Sequence, residues 1–141
     1  MPGRMYTLPL FLLALLLFSP RAWADQAMEQ AAIRQAENRL SAVDSGQYGA
    51  SWDAAAVLFK NAVPKEQWIR SMNAHRKPLG TAVRRELKDK QYVTSLPGAP
   101  DGQYVVIRYA AAFANKQEAV GAITPMLDSD GVWRVSGYFI Q

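Results

Sequence analysis

The chain has no cysteine and one histidine, His75, among 141 residues. The first absence excludes disulfides, cysteine-liganded zinc and thioether-attached haem, and leaves no residue for a cysteine-linked lipid anchor. The second excludes a multi-histidine metal centre, so neither a metal nor another cofactor is expected. A strong excess of either charge is missing too, with 16 Lys and Arg against 12 Asp and Glu. Nucleic acid requires a clustered basic stripe. The chain offers only His75-Arg76-Lys77 and Arg84-Arg85, the second diluted by Glu86 and Asp89. No nucleic-acid partner is expected.

Long apolar runs are also scarce. Residues 8–18 form the longest, interrupted by Pro9. Eleven residues make a helix of roughly 17 Å, against a hydrocarbon core of ~30 Å, too short to span a membrane. Arg4 precedes the run, Ser19-Pro20-Arg21 breaks it, and Ala22-Trp23-Ala24 supplies the small-x-small pattern of signal peptidase. Residues 1–24 therefore read as a cleaved secretory signal. The mature chain is expected to start at Asp25, to be periplasmic or secreted, and to contain no transmembrane segment. Arg4 and Arg21 leave with the signal, so the mature charge falls to about +2. Exported domains of this size often depend on disulfides. This one must depend on its core, and 50% apolar composition can supply it.

Residues 25–141 have the length of one domain. Residues 25–46 read as a helix, with Ile33, Ala36, Leu40 and Val43 on one stripe, Asp25 and Glu29 in the first turn and Gly46 as the stop. A second helix is predicted over 51–59, capped by Ser51, with Trp52, Ala55, Ala56 and Phe59 on one face. Pro64 opens a third, on which Trp68, Met72 and His75 align, and Lys77-Pro78-Leu79-Gly80 ends it. The period then shortens to two. Strands are expected over 81–96, 103–114, 118–127 and 132–140, joined by short turns, and Pro125 marks an edge or a bulge. Trp133, Val135, Gly137 and Phe139 should share a face of the last strand. Three N-terminal helices followed by a meander argue for α+β: helices packed on one face of a curved four-stranded antiparallel sheet, with a conical cavity between the layers.

Several segments carry a family resemblance: Ser51-Trp52-Asp53-Ala54-Ala55, Gln67-Trp68, Pro78-Leu79-Gly80, the run from Thr94 through Leu96-Pro97-Gly98-Ala99-Pro100-Asp101-Gly102 to Tyr104, and Gly131-Val132-Trp133-Arg134-Val135-Ser136-Gly137-Tyr138. Together they closely resemble the domain of unknown function 4019 family of exported bacterial proteins. The resemblance implies a nuclear transport factor 2-like (cystatin-like) cone. That family has no assigned activity, so no functional residues carry over. The wider fold hosts ketosteroid isomerase-like enzymes as well as binding and assembly modules, so it does not decide function. Those isomerases place a carboxylate beside a tyrosine inside the cone, and no Asp or Glu here matches that position.

Four residues stand out as cavity candidates: Trp68, His75, Arg85 and Tyr109. His75 could act as an acid or base; beside Arg76 and Lys77 at a helix end, a solvated histidine is the simpler reading. Arg85 alternates with Val83 and Leu87 and could point inward to a carboxylate or phosphate, whereas pairing with cross-strand acids is the plainer expectation for both Arg85 and Arg108. The aromatics, Trp68 and Tyr109 included, serve a core first and a pocket second. Asp128-Ser129-Asp130-Gly131 superficially suggests calcium, but the twelfth position is Phe139 rather than Glu, so it reads as a hairpin turn. Three functions remain open. The first is a non-catalytic binder of a small apolar ligand or peptide. The second is an interaction module that forms a homodimer or docks on an envelope protein through Tyr104, Val106, Ala110 and Ala112 around Arg108. The third is an acid/base enzyme using His75.

Overall fold

The computed structural model describes residues 20–141; the expected leader run at 8–18 lies outside the described residues. Helix α1, Pro20–Asp44, precedes three short helices, α2 (Tyr48–Asp53), α3 (Val57–Ala62) and α4 (Lys65–Ser71). A π turn, Met72–Arg76, and a 3-10 turn, Lys77–Leu79, then lead into the strands. These are β1 (Ala82–Val93), β2 (Tyr104–Phe113), β3 (Lys116–Leu127) and β4 (Trp133–Ile140), antiparallel in the order β1-β2-β3-β4. The α+β architecture is as expected. The helix count is not.

The predicted second helix, 51–59, is two helices. Ala56 donates its N–H to the Val135 carbonyl of β4 at 2.9 Å, which draws the backbone out of the helix at ψ 151°. Ser51 is not a cap but lies inside α2; its Oγ donates to the Tyr48 carbonyl at 2.7 Å. Because α1 is already helical at Pro20, the first described residue, Asp25 and Glu29 do not lie in its first turn. The α1 end agrees with the sequence. Gly46, at φ +74°, donates to the Val43 carbonyl, and Gln47 donates to that of Ala42, the paired bonds of a Schellman stop.

Bulges interrupt all three strand pairings, and each re-aims side chains. The one opposite Thr124 and Pro125 decides between the two readings of that proline: β3 is internal, so Pro125 marks a bulge rather than an edge. It also corrects the face assignment on β4. Thr124 pairs with Gly137 and Pro125 with Val135, leaving Ser136 as the extra residue, whose Oγ donates to the Thr124 carbonyl at 2.9 Å. Trp133 and Val135 are buried, but beyond the bulge Tyr138 and Ile140 turn to the core and Phe139 to the outside.

The core lies between α1 and the sheet, with Ala32, Ala36 and Leu40 against Val105, Ile107, Phe113, Ile123 and Val135. A second cluster, Val43, Tyr48, Phe59, Trp68 and Met72, joins the short helices, and Tyr138 touches both. Helix α1 lies mainly over β3 and β4. The inner face of β1 is thus left without a helical cover, which explains why Leu87 is 47% exposed although it faces Tyr109 across the ladder. On the outer face, Tyr104 is buried rather than displayed: its hydroxyl donates to the Pro100 carbonyl at 2.6 Å and its ring packs against Gly102.

Candidate functional site

Asp44, the last residue of α1, organises the site. A carboxylate at a helix C-terminus is disfavoured by the helix dipole and needs compensation. Two arginines supply it. Arg85, on the inner face of β1, donates from Nη1 and Nη2 to the two Asp44 oxygens, each at 2.9 Å. Arg76, at the end of the π turn, donates from Nη2 at 3.2 Å and from Nη1 to the Gly80 carbonyl at 2.7 Å. Burial alone pushes the Asp44 carboxyl up, but the hydrogen bonds and charges of Arg85 and Arg76 outweigh it and hold the group below the usual carboxylate range. The Asp44 bonds in turn outweigh the burial of Arg85 and raise it.

Both guanidiniums also stack on aromatic rings. Arg76 lies 4.5 Å from the Phe113 centroid and Arg85 5.4 Å from that of Tyr109. Tyr109 is buried, and its hydroxyl has no hydrogen-bond partner within normal geometry. Burial, followed by the neighbouring Tyr138, raises its pKa well above the ordinary phenol value. Burial also raises Tyr138, against the opposing charges of Arg76 and Arg85.

Beside this cluster, between α1 and the uncovered half of the sheet, is a half-enclosed cavity of about 290 Å³. Its walls are apolar, with Ile33 and Leu40 from α1 facing Leu87, Ile107, Tyr109 and Ile123 from the strands. Arg85 and Glu37 stand at its edge. Two ion pairs tie β1 to α1: Arg85–Asp44, and Lys90–Glu29 at 2.9 Å. A cleft of about 520 Å³ lies on the other side of Asp44, toward Asn73 and Lys77, but it is broad and open and would leave most of a ligand in water.

Of the four residues singled out from the sequence, the structure brings Arg85 and Tyr109 together on the cavity wall. Trp68 lies behind it in the helical cluster, edge-on to Phe59 at 5.2 Å and to Tyr138 at 5.9 Å, with Nε1 donating to Ser51 Oγ at 2.9 Å. His75 is apart from all three, exposed on the π turn, with no side-chain hydrogen bond or ion pair among the described residues. Arg108 makes the expected cross-strand pair, with Asp89 at 3.1 Å. Arg85 does not. Its partner comes from the helical layer, because the β1 inner face lies directly across from the α1 terminus.

The sequence reading missed Asp44, Arg76 and Tyr138. Arg76 is 3% exposed rather than part of a solvated basic cluster. The signal for Asp44 was its position, an acid two residues before a helix-stopping glycine, where a partner is required. The Asp128–Gly131 segment is a turn, as expected: Gly131 donates to the Asp128 carbonyl at 2.9 Å, and Arg134 binds both Asp128 and Asp130. Among the described residues no three acidic or histidine side chains cluster as a metal site, and no helix is long and apolar enough to cross a membrane.

No curated protein and no solved structure matches the chain. A family model does, over residues 35–138, which span α1 from Gln35 through the site to Tyr138. The chain belongs to that family, described as proteins of unknown function (DUF4019).

Proposed function

We propose that the protein is an exported, single-domain, non-catalytic binding module whose α1–β1 cavity receives a small apolar molecule or an apolar peptide side chain. The observation that carries this reading is the cavity itself, about 290 Å³ of mostly apolar wall left open because α1 covers the opposite half of the sheet. Enclosure with few polar groups is what a small ligand requires. The cation on the cavity wall, Arg85, is already neutralised by Asp44, and Lys90 farther along the same strand by Glu29, which favours an apolar occupant over an anion. Export rests on the leader pattern of residues 1–24. Bulges that bend the sheet beneath a one-sided helical layer support a nuclear transport factor 2-like cone. The exposed, unpartnered position of His75 weighs against acid/base chemistry there.

Native mass spectrometry on protein purified gently from its own compartment tests the reading. The expected result is a chain beginning at Asp25 that carries a reproducible extra mass, and Leu87→Trp, which fills the cavity mouth, loses that mass. A chain that is always bare, or an adduct that survives Leu87→Trp, overturns the cavity as the binding site.

A second reading, an interaction module, has one observation in its favour. The outer sheet face exposes Val120 (57%) and Phe139 (54%) beside the small residues Ala110, Ala112 and Ala122. It predicts a dimer by light scattering at high micromolar concentration that Val120→Glu converts to monomer. A parent chain that is monomeric under those conditions removes the dimer.

A further inference from the structure

The apolar cavity between α1 and β1 carries one charged group at its edge that nothing answers. Glu37 lies one helical turn beyond Ile33, on the side of α1 turned toward β1, and both residues line the cavity. Glu37 is exposed, and among the described residues it makes no ion pair or side-chain hydrogen bond, not even with Arg34 one turn before it. The other charges nearby are taken. Arg85 spends both Nη groups on the two Asp44 oxygens, and Lys90 is paired with Glu29. Arg76 shares Asp44, but it is buried against Phe113 and lines the open cleft on the far side rather than this cavity. The free charge of the cavity wall is therefore negative.

Glu37 also marks where the cavity opens. A more open recess of about 460 Å³ continues from it along α1, past Ser41 to Ser45, and Glu37, Leu40 and Arg85 line both spaces. The two spaces suit different chemistry. The cavity, walled by Ile33, Leu87, Ile107 and Ile123, favours hydrocarbon, and at ~30 Å³ for a group the size of water it holds about ten non-hydrogen atoms. A cation carried inside would lose its hydration. At the mouth a cation keeps part of its water and meets the Glu37 carboxylate as well.

We infer that the cavity takes a free amphiphilic amine, with its alkyl chain among Ile33, Leu87 and Ile107 and its ammonium group on Glu37 at the mouth. The inference rests on the cavity being the ligand site and adds the head group. A peptide lysine carries its ammonium at the tip and would enter charge first, toward the apolar end, so it is the wrong way round. An alkyl carboxylate meets the opposite obstacle: Glu37 repels it, and the Nη groups of Arg85 receive it only by giving up Asp44.

The test compares hexylamine with 1-hexanol and hexanoate, which share a six-carbon chain. Like a lysine side chain, the amine is protonated at neutral pH. Methyl NMR titrations of the protein at fixed ionic strength, read at Ile33, Leu87 and Ile107, give the three affinities. Hexylamine is expected to bind about fivefold more tightly than 1-hexanol, the gain from one partly exposed ion pair, and hexanoate more weakly than either. In Glu37→Gln the preference for the amine over the alcohol disappears. Binding of 1-hexanol with no such preference, tighter binding of hexanoate, or a preference that survives in Glu37→Gln overturns the amine assignment and leaves the cavity as a ligand site. No saturable shift with any of the three overturns both.

Discussion

Asp44→Ala lowers the unfolding free energy by about 3 kcal/mol, measured by urea denaturation at neutral pH, because it leaves two guanidiniums at the helix end without their shared anion. Arg76 suffers most: it is almost fully buried, and its remaining bond is to the Gly80 carbonyl. The loss depends on pH, and the sign follows from the depressed carboxyl. A group whose folded pKa is lowered contributes stability that is fully present above its unfolded value, ~3.9 for Asp. That contribution disappears as pH falls through the folded value. The difference between parent and Asp44→Asn should therefore be largest from pH 5 upward and shrink steadily below about pH 4. A difference that is constant over this range, or below about 1 kcal/mol at neutral pH, contradicts the arginine clamp.

Gly121→Ala is expected to destabilise by about 1–3 kcal/mol through overpacking. Tyr109 and Gly121 face each other across the β2–β3 ladder, and the Tyr109 ring lies over the glycine. A Cβ at position 121 would overlap that ring. In an ordinary strand position the same change is favourable by roughly 0.5–1 kcal/mol, since alanine loses less backbone entropy than glycine, so the expected sign is the reverse of the local preference. Tyr109→Leu in the same chain should recover part of the loss, and a double-mutant cycle reads that coupling. Additive effects would mean that the ring does not depend on the glycine. The pair matters for the cavity because Tyr109 forms its wall; a ring displaced by the added methyl group would narrow the space beside Ile107 and Ile123.

The sequence made the outline of the fold legible because long segments repeat one period. The 3.6-residue stripe of Ala36, Leu40 and Val43 and the alternation from Val105 to Phe113 both match the buried positions. It misled where a tertiary contact breaks a local pattern. The Ala56–Val135 bond splits a helix that Trp52, Ala55 and Phe59 make look continuous. One extra residue, Ser136, reverses the faces of β4, and strict alternation cannot anticipate it. The site was half visible. Arg85 and Tyr109 were identified by their inward parity, but the partner of Arg85 lies 41 positions away on a helix, where no spacing rule reaches.

Methyl NMR on the protein, titrated with a small apolar alcohol such as 1-hexanol, tests the cavity most directly. The expected result is a set of saturable shifts confined to Ile33, Leu40, Leu87, Ile107 and Ile123, with the response lost in Leu87→Trp. Saturable shifts at Val106 and Val120 on the outer sheet face, or none anywhere, would contradict it.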